Sequence, residues 1–315
     1  MPSNLFPLGA LPSRFRRARV LIVGYGDVGV RVARLLAPRV RLAALVRGEL
    51  GPSDPGAAGT PERPGVTAVQ RLRGDLDDPV SLRRLAGVAT HVVHLAPPPA
   101  QGGDDARTAA LLRALARRTP PRALVYASTS GVYGDCAGAL VSETTALRPL
   151  TPRAARRVAA ERRVRDFGRR AGVRASVLRI PGIYAPDRAG GTPRARLLAG
   201  TPVLAADDDV YTNHIHADDL ARACVLALWR GLPLRTVNTN DDSQLKMGEY
   251  FDLAADLLGL DRPPRVARAW AMEHMSPTLL SFMSESRRLD NTRLKRELGL
   301  RLRHASPASG LLEKK

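Results

Sequence analysis

The stretch VLIVGYGDVGVRVARLLA, residues 20–37, decides the fold. Four aliphatic residues in a row have the composition of a strand buried on both faces, and a glycine loop joins them directly to a helical apolar pattern. Gly24, Gly26 and Gly29 satisfy GxGxxG at that junction. The first glycine permits a tight turn, the second lets a pyrophosphate approach the backbone, and the third lets the helix pack close to the strand. The helix N-terminus adds free N–H donors and a partial positive charge. The expectation is a dinucleotide site formed by Gly24, Tyr25, Gly26, Asp27, Val28 and Gly29; a glycine turn kept only for packing is the alternative.

Working outward, short β-branched runs alternate with longer helical ones, the pattern of parallel βαβ units. Strands are expected over 20–23, 41–46, 66–72, 91–96, 123–128 and 174–180, and helices over 27–37, 79–86, 104–118 and 152–169. The expected fold is α/β, a Rossmann-type doubly wound parallel sheet with a smaller C-terminal lobe. Residues 1–19 are expected to be a disordered extension, 20–179 the NAD(P)-binding lobe, and 180–315 the smaller lobe, with some later segments returning to the first. Residues 48–65 hold glycines and prolines without a periodic apolar face and are expected to loop. Pro181, Pro186, Pro193 and Pro202 break the alternation where the second lobe begins.

The 315-residue chain has a formal charge of +19, which raises nucleic acid as a partner. Only four of its 49 basic residues are lysine, the arginines are spread along the chain, and no zinc-finger spacing or base-stacking aromatic strand accompanies them. Nucleic-acid binding is therefore not expected, and a small-molecule substrate is. Cys136 and Cys224 form no CxxC or Cys/His cluster, so neither a disulfide framework nor a metal is expected, and a reducing cytoplasm fits. No apolar run approaches the ~20 residues that span a bilayer.

The end of the second expected strand bears on cofactor choice, because an acid there suits a ribose 2′-hydroxyl and an arginine suits a 2′-phosphate. Here Arg47 comes first and Glu49 follows. NADP is expected over NAD on that ground, with Glu49 keeping NAD open.

Further motifs follow in order: RGDLDDP (73–79), HLAPPP (94–99), VYASTSGVYGD (125–135), LRIPGIYAPDR (178–188), NHIHADDLARA (213–223), VNTNDD (237–242) and SRRLDNTRLKRELGL (286–300). With the glycine loop they resemble the extended short-chain dehydrogenase/reductase superfamily of NAD(P)-dependent epimerases and dehydratases, over nearly the whole chain. The resemblance implies that Asp75 and Leu76 border the adenine and that Leu95 and Ala96 line the cofactor. It implies Ile180 near the nicotinamide, Thr129 beside Ser130 as the hydroxyl that bonds the substrate oxygen, and His216, Asp218 and Asp219 joining the lobes. Many superfamily members pair through first-lobe helices, so a homodimer is a possible assembly. His214 and His216, with no third ligand marked nearby in sequence, read as hydrogen-bonding rather than metal-binding residues.

The superfamily's catalytic helix carries YxxxK, and here the sequence departs from it. Aligning RAARRVAAE puts Arg153 at the tyrosine position and Arg157 at the lysine position. Arg157 can still donate to a ribose, but a guanidinium stays protonated at neutral pH, so Arg153 cannot be a general acid. Thr151 and Pro152 read as the helix cap and first turn. Thr129, Tyr133 or a substrate group would then supply the proton, or the chain binds a dinucleotide without turnover, as a sensor. A GYGxxG loop with no active-site tyrosine resembles the YeeZ-like group among atypical members. The expected function is thus an NAD(P)-binding, epimerase-like oxidoreductase acting on a small polar substrate, with a nucleotide sugar as one possible class.

Overall fold

The computed structural model describes residues 17–37, 39–48 and 69–312. The N-terminal extension up to residue 16, most of the 48–65 loop, Glu49 and the start of the expected 66–72 strand lie outside them.

The chain opens with β1 (Arg19–Val23), α1 (Asp27–Leu36), β2 (Arg41–Val46), β3 (Gln70–Arg73), β4 (His91–His94), α2 (Ala106–Leu115) and β5 (Ala123–Thr129). It continues through β6 (Leu140–Val141), α3 (Pro152–Ala171), β7 (Arg174–Ile180), β8 (Gly182–Tyr184), α4 (Arg194–Leu198), β9 (Val203–Leu204) and β10 (His214–His216). The remainder is α5 (Ala217–Arg230), β11 (Arg235–Asn238), α6 (Met247–Leu258), β12 (Arg265–Val266), α7 (Arg268–His274), α8 (Pro277–Met283), β13 (Arg288–Leu289) and α9 (Thr292–Arg296).

Seven parallel strands form the main sheet in the order β11-β7-β5-β4-β1-β2-β3. Consecutive strands run outward from β1 to β3, and β4 then returns to the other side of β1. That reversal makes β1 and β4 the switch point, where an open α/β sheet leaves a crevice at its strand C-termini. The central strands carry helices on both faces, which is why they read as continuous aliphatic runs. One face packs α1 and α5 against Val20, Ile22, Val93 and Val125. The other packs α2 and α3 against Leu21, Val92, Leu124 and Val177.

β11 and α5 both come from beyond residue 180 and complete the first lobe. The segments around them form three small parallel pairs, β8 with β10, β9 with β12 and β6 with β13. The second lobe's core gathers Leu197, Val203, Leu204, Met247, Phe251 and Ala271 between α4, α6 and α7. The described residues hold no helix long and apolar enough to cross a membrane.

Candidate cofactor and substrate site

Two cavities open at the C-terminal edge of the sheet. The first, about 430 Å³, is lined by Gly24, Tyr25, Gly26, Arg47, Asp75, Leu76 and Ala96, together with Pro97 and Arg107. Its geometry follows from the glycine loop. Gly24 has φ +96°, and a Cβ there would lie 2.5 Å from the Ala96 nitrogen and 2.8 Å from the Leu95 carbonyl carbon. The turn therefore presses on the end of β4 as only glycine can. Gly29 is equally enclosed, its Cβ position being 2.6 Å from the Gly24 oxygen, whereas Gly26 has nothing within 4 Å and faces open space.

Asp27, Val28, Gly29, Leu95, Ile180 and Arg157 do not line this groove. Asp27 instead accepts from Arg31 at 3.0 Å and from Arg188 at 2.7 Å. Arg31 also donates to Asp187 at 2.6 Å and to Asp218 at 2.5 Å. This ion network ties α1 to the loop after β8 and to the first turn of α5.

The second cavity, about 660 Å³, runs from the end of β5 into the second lobe. At its sheet end stand Thr129, Ser130, Gly131, Thr151 and Arg153. The Thr129 hydroxyl accepts from the Gly131 N–H at 3.3 Å, which leaves its own hydrogen for a ligand. Thr151 caps α3 by accepting from the Ala154 N–H at 3.2 Å, and Pro152 follows at the first helical position. Arg153 projects from that first turn, exposed and without an ion pair or hydrogen bond to any described residue. Arg157, one turn on, donates to the Ala127 carbonyl at 2.6 Å and to the Tyr126 hydroxyl at 3.1 Å, so it holds the end of β5.

Tyr133 lines neither cavity. It is fully buried, donates to Asn238 Oδ1 at 2.6 Å and accepts from Arg179 at 2.9 Å. Burial pushes its pKa up, and the nearby Arg179 only partly opposes this. Arg179 also pairs with the buried Glu161 at 2.8 Å, so the tyrosine is one member of a closed polar network beneath the site.

At the far end, Arg196 lies over the Phe251 ring at 4.3 Å. Its Nε and Nη2 are buried with no hydrogen-bond partner among the described residues. Burial lowers its pKa. Nearer the sheet, His214 pairs with Gly182 in β10 and β8 and stacks on Tyr250 at 4.0 Å; its buried Nδ1 has no partner among the described residues, and burial holds its pKa down at about 4. The Tyr184 hydroxyl points towards the Asp241 carboxyl but lacks hydrogen-bond geometry. Arg188 and Arg287 also line the cavity. Its acidic side chain, Glu285, is paired with Arg287 at 2.7 Å. The result is a cavity with excess positive charge and buried donors left over.

His216 has neighbours that its local sequence did not mark. His304 stacks on it at 3.8 Å, and Asp218 completes a trio of metal-type groups within 4.8 Å. One ring nitrogen of each histidine and the carboxylate have partners: His216 Nδ1 accepts from the Asp218 N–H at 3.2 Å as the cap of α5, Asp218 binds Arg31, and His304 Nδ1 bonds the Ser309 carbonyl at 2.9 Å. Asp219 turns inward to take the backbone N–H groups of Arg303 and His304.

The model of the NAD dependent epimerase/dehydratase family matches residues 20–238, well over half of the chain. The chain belongs to that family. A curated relative, the UDP-glucose 4-epimerase of Azospirillum brasilense, is 31% identical over 126 residues, so the chain spans only 36% of its length. A functionally unknown conserved protein from Silicibacter pomeroyi is 29% identical with TM-score 0.72, covering 93% of this chain and 96% of that one. MoeE5, solved with UDP-glucose and NAD and again with UDP-glucuronic acid and NAD, is 25% identical with TM-score 0.69 over the same shares.

The expectation of NADP is corrected here. Solved relatives with a named cofactor, MoeE5 among them, hold NAD. Arg47 does line the groove, exposed at its edge, but an arginine at the end of β2 does not by itself call for a 2′-phosphate.

Proposed function

We propose that this protein binds NAD in the glycine-loop groove, takes a nucleotide-sugar-type substrate in the larger cavity, and passes a hydride between a substrate carbinol or carbonyl carbon and the nicotinamide, the accompanying hydroxyl proton being exchanged with solvent. Arg196 carries the substrate half of this reading. A guanidinium with two buried, unpartnered N–H-bearing atoms is costly unless a ligand completes it, and a phosphoryl oxygen is a fitting acceptor. Gly26 and the first N–H groups of α1 would take the cofactor pyrophosphate, with Asp75 and Leu76 at the adenine and Thr129 donating to the reacting oxygen.

A second reading, dinucleotide sensing without turnover, is favoured by Arg153 and Arg157 standing where the family's acid/base pair would be. The YeeZ-like resemblance, which rests on the same missing tyrosine and on the glycine loop, points the same way. Both readings are tested by titrating the protein with NADH by fluorescence, then following absorbance of bound NAD after UDP-glucose or UDP-glucuronate is added in single-turnover excess. Reduction of the cofactor supports the oxidoreductase; tight NADH binding with no reduction by any nucleotide sugar supports the sensor. Absence of NADH binding would remove both.

A further inference from the structure

We propose that Arg153 is a substrate-recognition residue that takes a carboxylate at the sheet end of the larger cavity, so that the preferred ligand carries a carboxylate in addition to its phosphates. This rests on the proposal above that the cavity takes a nucleotide-sugar-type ligand. A guanidinium at this place cannot exchange a proton at neutral pH; it offers a fixed positive charge and a planar fork of donors that matches a carboxylate. Arg153 is free to do so. It forms no hydrogen bond or ion pair with any described residue, and the acidic side chain lining the cavity, Glu285, is held by Arg287 at 2.7 Å.

Its neighbours complete the receptor. The Thr129 hydroxyl keeps its hydrogen for a ligand, and Ser130 lies beside it on the same wall. Arg196, on α4 in the second lobe, keeps two buried nitrogens without a partner among the described residues. Arg153 at the sheet and Arg196 in the second lobe give one cavity of about 660 Å³ two guanidinium groups, which suit a ligand that carries a carboxylate beyond its phosphates. A nucleoside-diphosphate uronate has this layout, whereas its neutral hexose counterpart leaves Arg153 without a charged partner.

The test is calorimetric titration of the protein, with saturating NAD, against UDP-glucuronate and UDP-glucose, in the wild type and in Arg153→Ala and Arg153→Lys. Charge-assisted hydrogen bonds at a partly exposed site predict about tenfold tighter binding of the uronate by the wild type. The alanine variant should lose that preference, binding the two probes alike, and the lysine variant should keep part of it. Arg196→Leu should weaken both probes alike. Equal wild-type affinities, or a preference that survives in Arg153→Ala, would overturn the role of Arg153 and leave nucleotide-sugar binding intact. Binding of neither probe would overturn the parent reading and this one with it.

Discussion

Substitution of Gly26 by alanine separates the cofactor site from the fold. The residue has φ −93° and ψ −158°, an extended conformation open to any L-residue, and a Cβ built on it meets nothing within 4 Å. The methyl group should therefore change stability by no more than about 0.5 kcal/mol. It would occupy the space through which a pyrophosphate must come to reach the α1 N–H groups. Losing two charge-assisted hydrogen bonds at about 1.5 kcal/mol each removes about 3 kcal/mol, or roughly a hundredfold in Kd. Gly29→Ala is the contrasting variant: its Cβ would sit 2.6 Å from the Gly24 oxygen, so backbone must shift and both melting temperature and affinity should fall. The assay is a NADH fluorescence titration beside a thermal melt of each variant. A Gly26→Ala protein that binds NADH like the wild type would refute the glycine-loop assignment, whatever its stability.

Three further substitutions probe the surroundings. Tyr133→Phe should cost about 1–3 kcal/mol in denaturant unfolding, because Arg179 and Asn238 each lose a buried partner, and should leave the NADH Kd unchanged; a loss of turnover without loss of stability would instead make the tyrosine a proton donor. Arg157→Ala removes the bonds to Ala127 and Tyr126, and if its guanidinium also meets the cofactor ribose the NADH Kd should rise about tenfold. An unchanged Kd would leave it as a brace for β5. Burial pushes the Asp241 carboxyl up to about 7, well above the roughly 3.9 of an unfolded chain, so the native state holds a proton that the unfolded state lacks between those values. Its contribution is full below about pH 4 and is lost as pH rises through about 7. Asp241→Asn should thus be more stable than the wild type by about 4 kcal/mol at pH 7.5, with the gap closing towards pH 4; parallel stability curves for the two proteins would contradict the buried-acid argument.

The strands at the switch point were legible because burial on both faces leaves a run such as residues 20–23 with only one use. Elements with weaker apolar patterns were not. The helix expected over 79–86 is a 3₁₀ segment, Ser81–Leu85, which buries only Leu82 and Leu85. The strand expected over 91–96 ends at His94, because Leu95 and Ala96 turn to meet Gly24. β11 passed unmarked as a strand since its four residues, Arg235–Asn238, alternate no apolar face and bury polar Thr236 and Asn238. Within the site, Thr129 and Arg153, which the family resemblance marked, both line the larger cavity. Arg196 and His304 could not be found from local spacing: the first stands out only through the donors it leaves unpartnered under Phe251, and the second meets His216 across 88 positions of chain.

The placement of β11 at the sheet edge has a consequence during synthesis. A ribosome that has released β7 has made six of the seven strands, yet the outer edge of β7, which will pair with β11 from Ser176 to Arg179, is still bare. The α1 face likewise waits for α5 to cover it. Until residue 238 emerges, the nascent chain carries an aliphatic strand edge and an uncovered helix face, the surfaces that other chains and chaperones recognise. A product truncated near residue 180 would keep the glycine loop and still expose both.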